Sequence, residues 1–302
     1  MKSWLTVLVL TLVSFTGTAQ SWYAEIAAGG MGYCGDLTQH RIPLKTVRPA
    51  AGINIKFESG DLVNIRVGGL YGMLTADDKN NTDPTLRIRN LNFTTQLYEG
   101  NICLEFNLFD PEIYTSYPYI YGGVGVFYFN PYSHDNNNNK VFLHPLRTEG
   151  QGLAEYPDRK QYSLTQVCLP LGVGWKWVTK NKSQWGLEFG YRFTFTDYLD
   201  DVSRSYADPE VLAIQISPLS GQMAYRKVNV PFKELGAPRG NDSKKDIYFF
   251  GSLKYGFRLS KDKTAKKKVT PTVTPNITPA AGEAGATPPD NSKKKKKKKH
   301  KS

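Results

Sequence analysis

Long segments of strict two-residue alternation, with no helix-length apolar run after the first twenty residues, constrain this chain more than any other feature. A period of two places successive side chains on opposite faces of a strand. In QVCLPLGVGWKWV, Val167, Leu169, Leu171, Val173, Trp175 and Trp177 share one face, against Gln166, Cys168, Pro170, Gly172, Gly174 and Lys176. In QWGLEFGYRFTFT, Trp185, Leu187, Phe189, Tyr191, Phe193 and Phe195 oppose Gly186, Glu188, Gly190, Arg192, Thr194 and Thr196. In DIYFFGSLKYGFRL, the apolar face carries Ile247, Phe249, Leu253, Tyr255, Phe257 and Leu259. Two shorter runs around Ser59-Gly60-Asp61 alternate alike: Ala51, Ile53, Ile55 and Phe57 before it, Val63, Ile65 and Val67 after it. Strands of about 11–13 residues exceed the five or six usual in globular sheets and suit a tilted bilayer crossing.

Eight strands are predicted, at 22–30, 48–58, 61–73, 91–108, 118–129, 162–178, 184–196 and 246–259. Between Leu91 and Leu108 the apolar residues change phase. Leu91, Phe93 and Leu97 keep one register, Ile102, Leu104, Phe106 and Leu108 the other, so a bulge is expected near Glu99-Gly100. The Gly-rich segment Gly29 to Asp36 is expected to make a tight outer turn. The connections at 59–61, 110–117 and 179–183 are short, and those at 31–47, 74–90, 130–161 and 197–245 are long and polar. Short and long alternate without exception, as in outer-membrane barrels; a soluble β-sandwich has no reason to keep that parity. The fold class that follows is all-β: a transmembrane antiparallel up-and-down β-barrel of about eight strands. An even strand number puts both termini on the short-turn, periplasmic side. Aromatic content of 13% and 27 glycines suit such strands, the rings as interfacial girdles and the glycines at a crowded, curved wall.

The N-terminus reads as an export signal over residues 1–19. Lys2 supplies the positive region, Trp4 to Val13 the apolar run, and Gly17, Thr18 and Ala19 the small residues before cleavage, leaving Gln20 first. The barrel then occupies 20–259, and 260–302 form a disordered Pro/Thr- and Lys-rich tail. The net charge of +12 belongs almost wholly to that tail. Its thirteen lysines face only Asp262, Glu283 and Asp290, and with Lys2 lost the barrel region is near neutral. A nucleic-acid partner is therefore not expected. The terminal block Lys293, Lys294, Lys295, Lys296, Lys297, Lys298 and Lys299 has two readings. It is a solvated run, or an electrostatic attachment to anionic periplasmic neighbours: acidic proteins, peptidoglycan or inner-leaflet phospholipid.

Chemistry-bearing patterns are sparse. The sequence carries no H-E-x-x-H, G-x-S-x-G or phosphate-loop motif. His134 and His144 share a loop with Asp135, Glu149 and Glu155, a set fitting a loop hydrolase such as a lipid-modifying enzyme, a weak metal site or a plain polar loop; His40 and His300 stand apart. Asp197, Asp200 and Asp201 are weak metal candidates, since three carboxylates fall short of the six to eight oxygens calcium takes. They equally suit a loop cap, or a divalent bridge to lipopolysaccharide phosphate. No cofactor is expected. Cys34, Cys103 and Cys168 are too few for a disulfide framework, and the last two read as small lumen-facing fillers. Lumen-facing charges are expected at Glu25, Lys56, Arg66, Glu105, Lys176, Glu188, Arg192, Lys254 and Arg258. An eight-stranded barrel is about filled by its side chains, so these charges should pair and block the lumen.

Four segments in order, GGMGYCGDL (Gly29 to Leu37), PYIYGGVGVFYFNP (Pro118 to Pro131), LRTEGQGL (Leu146 to Leu153) and YRFTFTDYLDDVS (Tyr191 to Ser203), resemble the PorG-like outer-membrane barrels of Bacteroidetes. The resemblance spans Trp22 to Leu259. It implies a non-catalytic barrel that anchors type IX protein-secretion machinery, contacting a periplasmic ring and the surrounding lipid and lipopolysaccharide. The competing readings are a generic small barrel for envelope integrity, adhesion or small-solute passage, and, more remotely, a lipid-modifying enzyme.

Overall fold

The computed structural model describes residues 21–38, 43–59, 62–228 and 230–260. The signal, the tail after Ser260 with its lysine block, His40 and His300 lie outside them. Eight long strands form the wall: β1 (Ser21–Cys34), β2 (Arg48–Glu58), β3 (Val63–Asp77), β4 (Asn92–Asn107), β5 (Ser116–Phe129), β8 (Thr165–Val178), β9 (Gln184–Thr194) and β10 (Ile247–Arg258). Each pairs antiparallel with the next, and β1 pairs with β10 from Tyr23↔Arg258 to Cys34↔Ile247, which closes the barrel. A short hairpin, β6 (Tyr132–His134) and β7 (Lys140–Phe142), extends the wall beside the end of β4.

Alternation places the apolar rows outward. Leu171, Val173, Leu187 and Leu253 are exposed, while Glu25, Lys56, Arg66, Glu105 and Glu188 face inward and are buried. An exterior of this kind is stable only where the surroundings are apolar, because water would leave the whole belt unfavourably solvated. Aromatic rings gather at the rims: Trp22 against Phe57, Trp175 near Trp177 and Trp185 against Tyr255 at the short-turn end, and Tyr71 against Tyr98 higher up. From Trp185 to Phe195 the chain climbs about 33 Å along its axis, or ~25 Å of bilayer at a typical barrel tilt. Depth in that belt sets a measurable cost. Val173→Arg is expected to lose about 2–4 kcal/mol in urea unfolding of lipid-refolded protein, and Trp177→Arg at the rim no more than ~1 kcal/mol. Equal costs would mean that the belt is misplaced.

Two expectations need correction. No bulge interrupts β4: its burial alternates from Asn92 to Asn107, and its register with β3 runs unbroken from Val63↔Phe106 to Asp77↔Asn92. The phase change arises because the interior itself turns apolar near the long loops, where Phe93 and Leu97 point inward and are buried. The Gly29–Asp36 segment is not a turn up to Cys34; Gly29 to Cys34 continue the ladder against Ser252 to Ile247. The turn comes only at Gly35–Leu37.

The long loops are built, not loose. They contain helices Pro84–Arg89, Pro209–Gln215 and Pro218–Ala224, started by the side chains of Asp83, Asp208 and Ser217 respectively. Leu37, Leu91, Leu143, Leu146, Leu199, Val202 and Met223 from these loops join Met31, Tyr33, Phe93, Leu97, Phe127, Phe129 and Phe250 from the strands in one core. The loops thus cap the barrel with the same hydrophobic interior that fills its upper end.

Candidate functional site

The interior is layered. Nearest the short turns, four cations meet four carboxylates. Lys56 Nζ lies 2.7 Å from Glu25 and 3.1 Å from Glu58. Arg66 Nη1 lies 2.8 Å from Glu105 and 2.6 Å from Glu188. Lys176 reaches Glu105 at 3.2 Å, and Lys254 reaches Glu25 at 3.0 Å and Glu188 at 3.1 Å. Tyr119 donates to Glu188 at 2.8 Å, and the guanidinium of Arg66 lies 4.7 Å from the ring centre of Tyr121. Gly190 leaves room for that ring, since a Cβ there would sit 2.1 Å from the Tyr121 hydroxyl oxygen. Charges buried this deeply are tolerable only when paired, and here they pair across the lumen from different strands. Lumen charges expected from the sequence do come together; Arg258 instead bonds Ser21 at the rim.

Above this layer Glu99 accepts from Tyr248 at 2.9 Å, from Asn101 at 2.7 Å and from Arg192 at 3.3 Å. Glu58 and Glu99 are lumen groups that the sequence reading missed. For Glu99, the supposed bulge hid an inward position. Cys103 and Cys168 are buried thiols facing the interior, the Cys168 sulfur lying 3.5 Å from the Tyr248 hydroxyl oxygen.

Over the apolar core lies a second polar layer made by the loops. Glu149 accepts from Arg239 at 3.0 Å, from the backbone N–H groups of Ser203 and Arg204, and from Tyr198. Asp78 pairs with Arg89 at 2.7 Å, and Arg89 donates on to the carbonyl of Arg239 at 2.6 Å. The metal candidates diverge. Asp197 accepts from Ser203, Asp200 from Tyr33 and the Val202 N–H, and Asp201 from Thr148 and Tyr162. Among the described residues no three His, Cys, Asp or Glu side chains are grouped to hold a metal ion. Burial pushes Asp197 up to about 7 and Asp201 up to about 6.

The candidate enzyme loop does not converge either. His144 Nε2 donates to the Tyr162 carbonyl at 2.9 Å, and the Gln161 amide nitrogen lies 3.4 Å from its Nδ1, so both ring nitrogens are engaged. His134 is exposed on the hairpin, Asp135 is taken up by Asn137 and Asn139, Glu149 by the contacts above, and Glu155 by Gln215.

An apolar wall around a charge-paired lumen, with structured loops over one end, defines a transmembrane β-barrel whose interior is a packed core. The chain belongs to the family described as "Domain of unknown function (DUF6089)", which matches residues 2–216. No curated protein sequence matches it. Among solved structures it is similar to Ail, the attachment invasion locus protein of Yersinia pestis, crystallised with the heparin analogue sucrose octasulfate: TM-score 0.39, 8% identity, 80% of this chain and 99% of that one. It is also similar to Neisserial surface protein A, with TM-score 0.38, 12% identity, and 80% and 97% covered. A major outer membrane protein from Thermus thermophilus gives TM-score 0.41, 14% identity, and 80% and 100% covered. The fold assignment stands on the strand register, not on these likenesses.

Proposed function

We propose that this chain is a non-catalytic outer-membrane barrel that acts through its two rims, as an anchoring component of protein-secretion machinery of the type IX kind. The observation that carries the non-pore part is the lumen, where Glu105 alone lies within 4.0 Å of Lys56, Arg66, Lys176 and Lys254. A lumen so filled has no continuous aqueous path to offer a solute. The short turns and the described chain ends share one rim, where Trp22 N–H bonds Ser260 Oγ at 3.2 Å; this rim faces the periplasm in the proposal. There a secretion ring or peptidoglycan is the partner, and Lys293 to Lys299 supply electrostatic attachment to it. Outer-leaflet lipopolysaccharide surrounds the other rim. The secretion role rests on the resemblance of the Gly29–Leu37, Pro118–Pro131, Leu146–Leu153 and Tyr191–Ser203 segments to PorG-like barrels. The structured cap favours a second reading, a barrel that presents a fixed surface for adhesion.

Tagged protein extracted in mild detergent should bring down periplasmic ring proteins, and planar bilayers containing it should show no steady unitary conductance. Unimpaired cargo secretion in a deletion strain would rule out the secretion role. Retained partner binding after removal of residues beyond Ser260 would rule out the tail as the attachment.

A further inference from the structure

At the junction of wall and cap, the hydroxyl of Tyr33 lies 2.5 Å from Asp200 Oδ2 and 3.0 Å from Asp246 Oδ1, all three groups buried. A phenol has one hydrogen to donate. It serves one carboxylate, and the second contact is a hydrogen bond only if that carboxyl carries its own proton and donates to the phenol oxygen. The remaining oxygens are occupied: Asp200 Oδ1 accepts from the Val202 N–H at 2.9 Å and Asp246 Oδ2 from the Leu199 N–H at 2.9 Å. Gly35 leaves room for the contact, because a Cβ there would sit 1.9 Å from Asp246 Oδ1 and 2.1 Å from the Tyr33 hydroxyl.

The surroundings favour a retained proton. Asp36 from the turn after β1 and Asp197 from the loop after β9 add negative charge, and burial with these neighbours holds both Asp200 and Asp246 well above the usual carboxylate range. The facing cation is Arg89, which is committed to Asp78; Lys245 bears on Asp197 and bonds the Asp242 carbonyl. Neither Asp200 nor Asp246 makes an ion pair among the described residues.

We propose that Asp200 and Asp246 share a single proton through Tyr33 and form a latch that pins the 195–203 segment of the cap to the barrel rim, closed when the proton is held and released when it is lost. The sign follows from the raised carboxyls: stability from the latch is full at acid pH and disappears as pH rises through the pair's elevated range. Release frees the Leu199 N–H from Asp246 and opens the cap on the long-loop side. The latch is independent of any secretion role.

Hydrogen exchange of the full-length protein in lipid nanodiscs, corrected for intrinsic rates, tests this. Protection over residues 197–203 should fall about tenfold per pH unit once the proton is lost, while β4 stays protected. Asp246→Asn, whose amide donates permanently, should stay protected and lose the pH response; Asp200→Asn is the second arm should the first variant not fold. Tyr33→Phe should be unprotected at all pH values. Infrared difference spectra at neutral pH should show a protonated-carboxyl band in the wild type that Asp246→Asn or Asp200→Asn removes. A wild-type pH response persisting in the Asn variants, or the absence of that band, overturns the proposal.

Discussion

Glu105→Ala is expected to cost the folded barrel about 3–5 kcal/mol, read as a lowered urea midpoint in lipid-refolded protein. Among the described residues Glu105 is the one carboxylate within 4.0 Å of all four lower-lumen cations, and its side chain is completely buried. Without it, Lys56, Arg66, Lys176 and Lys254 face only Glu25, Glu58 and Glu188. No solvent reaches the gap cheaply, so the surplus charge is left poorly paired. Glu105→Gln keeps shape and an acceptor but loses the charge, and most of the loss should persist. Adding Lys176→Met to Glu105→Ala should recover part of it, because the surplus cation is gone. A loss below ~1 kcal/mol for Glu105→Ala would mean that the charged layer does not hold the strands together.

Phe129→Ala is expected to be as damaging, about 3–5 kcal/mol, but to act on the cap. Phe129 ends β5 facing inward, fully buried. It stacks on Tyr162 at 6.1 Å, Tyr162 stacks on Tyr198 at 4.7 Å, and His144 meets Tyr162 edge-on. The column ties the wall to both longest loops, and truncating its base removes the surface on which they order. Near-ultraviolet circular dichroism should weaken and both loops become protease-sensitive, while the strand signal persists. Tyr128→Leu, one residue away on the outer face, should cost little. Loops that stay protected in Phe129→Ala would contradict a shared core.

The middle of each strand was legible because its two faces have different destinations, lipid and a charged lumen. That contrast disappears near the cap. Phe93, Leu97, Phe127 and Phe129 face a core as apolar as lipid, so periodicity could not say which way they point, and the misplaced bulge followed. The cap was illegible for another reason: Leu199, Val202, Leu212 and Met223 recur without period, and their partners lie far away in the chain. Asp197, Asp200 and Asp201 looked like one donor set because they are close in sequence. Asp201 adopts a left-handed backbone, φ 64°, and its side chain goes to Thr148 and Tyr162 rather than to its neighbours. The Tyr33–Asp200–Asp246 contact joins three distant positions and left no local pattern.

The seam between β1 and β10 has a consequence for biogenesis. Its two halves are separated by almost the entire wall, so the sheet cannot become a cylinder before Ile247–Arg258 arrive. Until then β1 and β9 each present a free row of amides and carbonyls to any passing chain. A pause late in delivery across the envelope is thus the moment of greatest hazard, and escort proteins would be needed most for a nearly finished polypeptide.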